Sequence, residues 1–324
     1  PCRASPDSLY HETRPAMGTT VDIYLYASGR TRAAALMEAA FAEIERVEAA
    51  LSSHRPTSEI SRINRTAARK PVVTDPEVFR LIRQAFDYSR RTDGAFDVTV
   101  GPLVEVWGFF RDDGRYPSAD ELAEARARVG WWHVMLNDEL RSIRFRRRGI
   151  RLDLGGIGKG YALDRAARVL RRHGVTAALL GAGRSSYYAI GAPPEAAGWR
   201  LVVPDPYDPT ETLSTVWLRN ESLSTSGSNQ QFFELDGRRY SHIIDPRTGE
   251  PAAGMMQVTV TAGTATDSDA LATALFVLGP TCAAELIAES DGAAALLVAG
   301  NETEGRVVAV RWDGSPFYER EATR

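Results

Sequence analysis

Apolar residues recur at two different periods along this chain, and the places where the period changes mark its elements. Residues 17–27, MGTTVDIYLYA, alternate between apolar and polar and predict a strand. From 31 to 51 the period lengthens. Ala35, Leu36, Ala39, Phe41, Ile44, Val47 and Leu51 fall at helical spacing and predict a long amphipathic helix. SEISRIN (58–64) reads as a cap and a short helix, and 75–92 as a helix opened by Asp75 and Pro76. The stretch 94–110 is apolar and aromatic, broken at Gly101-Pro102, and 118–129 is a helix with Ser118 as its cap. Strands are predicted at 132–136, 141–146, 149–154, 176–180, 186–191, 199–203, 213–218, 231–235, 256–262, 293–299 and 306–312. Further helices are predicted at 266–278 and 280–290. Residues 1–15 read as a flexible N-terminal tail. Strands come in runs instead of alternating strictly with helices. The expected class is therefore α+β, with mixed, largely antiparallel sheets and flanking helices. No linker or repeat divides the chain, which predicts a single unit over 16–324, with room for two lobes.

Hydrophobic residues at 44% and charged residues at 25% of 324 positions are those of a soluble globular chain. A net charge of -3 gives no reason to expect a nucleic-acid partner. No apolar run reaches membrane-spanning length. Cys2 and Cys282 are too few for a disulfide scaffold. Cys2 stands just ahead of a polar stretch with Pro and Ser, a placement that suits either a cysteine lipidated after signal removal or an incidental one.

The densest chemistry lies in DLGGIGKGYALD (153–164). Its glycines let the backbone approach a ligand, their N–H groups can face anionic oxygens, and Lys159 adds a mobile positive charge. The tail of this segment turns helical, with Ala162, Ala166, Val169 and Leu170 on one side and Gly174 as a stop, so a glycine turn feeds a helix N-terminus. A Walker A loop is excluded by Asp153 at the first glycine position and Gly160 after the lysine. Alternating Gly156, Gly158 and Gly160 also miss the dinucleotide spacing. The competing interpretation is a tight turn with an exposed lysine. Further on, His242 stands before the turn former Asp245-Pro246, as a general base near neutral pH or as a hydrogen-bonded structural histidine. Asp269 and Thr273 are four apart on one helix face, which offers hard oxygen ligands suited to Mg²⁺. Alternatively Asp267 or Asp269 simply caps that helix. GAGRSSYYAIGAP (181–193) reads as a strand connection lining a pocket.

These segments together resemble the flavin transferase family typified by ApbE, the FAD:protein FMN transferases. The resemblance runs from about Met17 to about residue 300. It rests on MGT (17–19), SEISRIN (58–64), GAFDVTVGPLVEVWGF (94–109), DLGGIGKGYALD (153–164), SLSTSG (222–227), SHIIDPRTGEP (241–251) and DALATALFVLG (269–279), in that order. It implies that Met17, His54, Ala95, Phe96, Asp97, Asp153, Lys159 and Ile243 lie at the FAD site. It implies a Mg²⁺ held by the Gly156 carbonyl and by the Asp269 and Thr273 side chains, and a His242 that assists an acceptor hydroxyl. The implied reaction moves FMN from FAD onto a Thr or Ser hydroxyl of an acceptor protein and releases AMP. Three positions and one loop depart from the family pattern. Ala272 stands where some members have a second Asp, and Gly158 where many have Ala. His54 replaces a common aromatic such as Tyr, and the 181–186 loop lacks the commoner Gly-Gly-Asn or Gly-Gly-Asp. The His54 change bears on the balance between transfer to protein and plain FAD hydrolysis to FMN and AMP, the alternative activity. A third possibility is an FAD-binding protein without turnover. The family often works at the outer face of the cytoplasmic membrane, which makes the periplasmic side of the inner membrane the expected location, with the cytoplasm as the alternative.

Overall fold

The computed structural model describes residues 7–110, 113–229, 231–235, 237–301 and 303–314. In chain order the elements are β1 (Ser8–Ala16), β2 (Thr19–Ala27), α1 (Arg30–Leu51), α2 (Glu59–Thr66), β3 (Val72–Val73), α3 (Pro76–Arg91), α4 (Gly101–Val106) and α5 (Ala119–Arg126). Next come β4 (Val134–Asn137), β5 (Ser142–Phe145), α6 (Gly158–Arg172), β6 (Ala178–Ala182), β7 (Ser186–Ile190), β8 (Trp199–Pro204) and β9 (Thr212–Leu218). They are followed by β10 (Ser222–Gly227), β11 (Phe232–Leu235), β12 (Arg238–Ser241), β13 (Met255–Ala262), α7 (Ala265–Leu278), α8 (Ala283–Ala288), β14 (Ala294–Gly300) and β15 (Gly305–Val310).

Eight strands form one sheet in the order β1-β2-β6-β7-β10-β13-β14-β15, and every neighbouring pair is antiparallel. The expected α+β class holds. Strands from both ends of the chain share this sheet, so neither half could build it alone. Smaller sheets are β3-β5-β4, β8-β9 and β11-β12. One face of the large sheet carries α1, α6 and α7 and the main core, which includes Ile23, Leu25, Phe41, Ile44, Leu163 and Val258. The β8–β9 hairpin covers the other face through Trp199, Val203, Leu213 and Leu218. A third cluster, with Leu103, Trp107, Phe109 and Tyr240, joins α4 and α5 to β12.

Capping chemistry sets the helix starts. Ser58 accepts from Ser61 N, Asp75 from Glu77 N ahead of Pro76, and Ser118 forms a reciprocal box with Glu121. Gly101-Pro102, expected as a break, instead opens α4, where proline's missing N–H costs nothing. In α1 the buried face is Ala33, Leu36, Met37, Ala40, Phe41, Ile44, Val47 and Leu51. Ala35 points to solvent, because alanine cannot report which side of a helix is covered.

Three expectations need correction. Residues 8–15, expected in a flexible tail, belong to β1, which pairs with β2 along its whole length. This edge strand is mostly polar and is held by backbone bonds, the Arg14–Glu38 ion pair to α1 and the His11–Asp22 hydrogen bond to β2, so no apolar alternation announces it. Residues 149–154 form no strand, only a bridge between Val100 and Arg151. The Asn64 side chain takes the strand partner's place, donating to Leu152 O at 2.9 Å and accepting from Leu152 N at 2.8 Å. Ser222–Gly227, for which no strand is predicted, is β10 at the middle of the large sheet. Cys2 lies outside the described residues.

Candidate active site

A cavity of about 610 Å³ opens between the β1–β2 turn, the end of α1, the 95–97 segment, the glycine turn, β10, the residues after β12, and α7. That volume is in the range of small-molecule sites. All the residues singled out in the sequence line it: Met17, His54, Ala95, Phe96, Asp97, Asp153, Gly156, Lys159, His242, Ile243, Asp269 and Thr273.

Each is positioned by a local device. Met17 sits at φ 55, in the left-handed region, and its N–H donates to Glu48 Oε2 at 3.1 Å. The Asp153 carboxylate accepts from Gly155 N at 2.8 Å and from Ser53 Oγ at 3.1 Å. His54 stacks on Phe110, with centroids 4.4 Å apart and planes 8° from parallel, and the Arg151 guanidinium covers the Phe110 ring at 4.0 Å. Lys159 Nζ donates to Ser185 Oγ at 2.8 Å from the first turn of α6. Ile243 N donates to Ser241 Oγ, and its carbonyl accepts from Ala252 N.

Asp97 is occupied within the fold. Its Oδ1 accepts from Thr99 N and Thr99 Oγ1, and its Oδ2 from Trp131 N at 2.7 Å. Burial pushes this carboxyl up and those bonds pull it down; burial prevails. Asp97 thus pins one wall of the cavity.

The glycine turn also departs from expectation. Gly155 N points to Asp153, Ile157 N and Gly158 N both point to Leu154 O, and Gly160 N donates to Asp269 Oδ2 at 2.9 Å. The amides expected to cradle an anion are therefore largely spent inside the fold, and the anion nearest this helix start is the chain's own Asp269. Lys159 is the cation that this turn offers to a ligand. Gly160 is required for this approach, since a Cβ there would sit 2.0 Å from Ala265 O. Gly156 lies under Phe96 and Thr273, where a Cβ would come within 3.2 Å and 3.3 Å of their side chains.

Asp269 does not cap α7. Thr264 does, accepting from Asp267 N, and Asp164 adds bonds from Ala265 N and Thr266 N at 2.8 Å. Asp269 is therefore left to point into the cavity, where burial raises its carboxyl and the Lys159 ammonium lowers it. Ser186 Oγ lies buried near it without meeting hydrogen-bond geometry to any partner. Thr273 Oγ1 donates to Asp269 O at 3.1 Å and stands 3.5 Å from Ser226 Oγ. The converging donors are all oxygens around one buried carboxylate, which fits a hard divalent cation and not zinc. Among the described residues no three His, Cys, Asp or Glu side chains converge, so such an ion would keep most of its water.

His242 has its tautomer assigned by its surroundings. Nδ1 lies 2.9 Å from Gln231 O, a carbonyl that can only accept, so Nδ1 carries the proton and Nε2 keeps a free lone pair. Burial, with the Lys159 charge adding to it, lowers this imidazole to about 4, so it is neutral at pH 7.

A family model described as the ApbE family matches residues 17–297. The chain belongs to the ApbE family. A curated relative from Treponema pallidum, named FAD:protein FMN transferase, is 32% identical over 306 residues, covering 89% of this chain and 84% of the relative. The Escherichia coli K12 protein of the same name is 31% identical over 262 residues, covering 79% and 74%. The crystal structure of the ApbE protein of Thermotoga maritima superposes with a TM-score of 0.86 at 32% identity, over 94% of this chain and 97% of that one. The apo flavinyl transferase ApbE of Pseudomonas stutzeri gives 0.83 at 30% identity, over 95% and 96%. Within the ApbE family pattern, Ala272 is fully buried in the core beside the site and supplies no ligand. Glu48, Ser53, Phe110, Ser226 and Gln231 also border the cavity and were not among the expected residues. Of these, Ser226 lies in SLSTSG and Phe110 in the aromatic stretch 94–110, the segments that carried a signal.

Proposed function

We propose that this protein transfers FMN from FAD to a Thr or Ser hydroxyl of an acceptor protein, with Mg²⁺ as cofactor. The observation that carries the reading is the His242 Nε2 lone pair, fixed by the Gln231 carbonyl, in the same cavity as Lys159, Asp269 and Thr273. The names of the relatives support the overall reaction.

Lys159 draws the FAD pyrophosphate into place, with Asp153 on the opposite side of the glycine turn. Met17, His54, Ala95, Phe96 and Ile243 line the volume for the ring systems. The acceptor oxygen attacks the FMN-side phosphorus, His242 Nε2 takes the hydroxyl proton, and the bond to AMP breaks. Asp269, Thr273 and the Gly156 carbonyl are the residues that would hold Mg²⁺, which when bound supplies charge neutralisation and Lewis acidity. Positioning and charge carry most of phosphoryl transfer, and this residue set provides both.

Hydrolysis by water uses the same residues. His54 bears on that alternative, yet its stack with Phe110 keeps an aromatic surface where the family often has Tyr. The proposal also assigns the protein to the periplasmic side of the inner membrane, attached through a lipidated Cys2. Among the described residues no helix is long and apolar enough to cross a membrane. The test is incubation with FAD and Mg²⁺, with and without a Thr-bearing acceptor domain, followed by mass spectrometry. An acceptor heavier by one FMN, with AMP released, supports transfer. FMN and AMP without a labelled acceptor would replace it with hydrolysis, and intact FAD would leave only binding.

A further inference from the structure

A basic face on the small sheet lies apart from the cavity. Arg141, Arg144, Arg146, Arg147 and Arg148, on β5 and its flanking turns, are all exposed. Among the described residues none of the five has a carboxylate at ion-pair distance, whereas Arg83 and Arg128 nearby are paired with Asp138 and Glu124. Arg147 reaches only the Ala127 carbonyl. The one other acid on the β4–β5 hairpin is Glu139 in its turn.

Strand register places apolar side chains among these charges. Val134–Phe145 and Leu136–Ile143 are the inward pairs, so Met135 and Arg144, between them, stand opposite each other on the outer face. One row further, Arg146 N donates to His133 O, and the Trp132 ring lies 5.5 Å from the His133 ring. Val73 on β3 extends the sheet on the other side, and Leu140 tops the turn. Trp132 is 55% exposed, Met135 47%, Leu140 63% and Val73 63%.

Single exposed apolar residues are ordinary, but these four share one basic surface on a chain whose net charge is -3. A protein partner favours a continuous apolar centre with a charged rim. Here apolar and basic side chains stand side by side, Met135 directly opposite Arg144. That arrangement suits a layer with phosphates and an apolar boundary at the same level, where Trp and Arg both settle.

We propose that this face docks the protein on anionic phospholipid headgroups, with the five arginines meeting phosphates and Trp132 and Met135 entering the interface. Each arginine near an anionic leaflet contributes about fivefold to partitioning, and the effect fades with salt over about 10 Å. The test is co-sedimentation of the whole chain with phosphatidylcholine vesicles, with and without phosphatidylglycerol, at low and high NaCl. Binding is expected only with phosphatidylglycerol and is lost at high salt. The R144Q/R146Q variant should bind about 25-fold more weakly at low salt, R144K/R146K should bind like the parent, and W132A should weaken binding at low salt. FAD binding, unchanged in every variant, verifies the fold. Absence of binding to phosphatidylglycerol vesicles overturns the proposal, also where an acidic polypeptide is retained instead. So does an R144Q/R146Q variant that binds like the parent.

Discussion

Gly158 and Gly160 open α6 two residues apart, and the same substitution at each should have opposite consequences. A Cβ at position 158 meets nothing nearer than Met17 Cε at 3.7 Å, an ordinary contact. Alanine there reduces unfolded-chain freedom, so Gly158→Ala should be neutral or more stable by up to about 1 kcal/mol. A Cβ at position 160 would fall 2.0 Å from the Ala265 carbonyl oxygen and 2.9 Å from Asp269 Cβ. Ala265 is the first residue of α7, so its oxygen cannot swing aside as a side chain would. The two helices must separate by about an ångström, and overpacking of that kind costs about 1–3 kcal/mol. The same movement stretches the 2.9 Å bond from Gly160 N to the buried Asp269 carboxylate. A charged hydrogen bond of this type contributes about 1.5–3 kcal/mol. After the offsetting helix preference of alanine, Gly160→Ala should destabilise by about 3 kcal/mol. Urea unfolding with unchanged m-value measures it, and FAD turnover at low urea should fall at least about tenfold because Asp269 is displaced. If the two alanine variants shift stability alike, α6 and α7 are not in the contact that aims Asp269, and the reasoning fails.

Further outcomes concern the chemistry. His242→Ala should lower transfer by about 10²–10⁴ while FAD binding, read by flavin fluorescence, stays within a few-fold. Because burial lowers His242 to about 4, the acid limb of kcat/KM should lie near pH 4, and a limb near 6.5 would contradict a buried neutral imidazole. The unfolded chain takes up this proton near pH 6.5 and the folded one only near 4, so His242 also makes stability fall as pH drops through that window, as acid titration of the melting curve would show. Chelation of divalent metal should stop product formation, and added Mg²⁺ should restore it; Asp269→Ala should raise the Mg²⁺ concentration needed by about 10–100-fold, measured by product mass spectrometry. Ser185→Ala removes the partner of Lys159 Nζ and should lower kcat/KM for FAD by about tenfold without lowering the melting temperature by more than a few degrees.

The parts of this fold that hydrophobic period predicts are those buried on one face. α1, α3 and β2 show it, because a one-sided core imposes its spacing on the chain. Where the pattern is silent, something other than apolar burial holds the backbone. β1 is an edge strand held by pairing and charge, and Leu152 is paired by the Asn64 side chain. For the site, Lys159, His242, Asp269 and Thr273 stand out in the sequence itself and the other positions come from the resemblance, while the geometry adds what each side chain is bonded to. No spacing rule shows that Asp97 is used up on Thr99 and Trp131, or that the glycine amides turn away from the cavity.

β10 joins the two failures. Four of its six residues are Ser or Thr, a composition that predicts a loop. In the sheet those hydroxyls have specific work: Ser222 Oγ donates to Ala262 O and Thr264 O, Ser224 pairs with Ser268 on α7, and Thr225 with Thr259 on β13. The same strand then carries Thr225 and Ser226 into the cavity, the latter beside Thr273. An apolar strand would pack as well against β13, but it would leave α7 without these anchors and would put hydrocarbon where a cation and phosphates need oxygen. The local rules are broken at the strand that aligns α7 with the site, where function sets the composition.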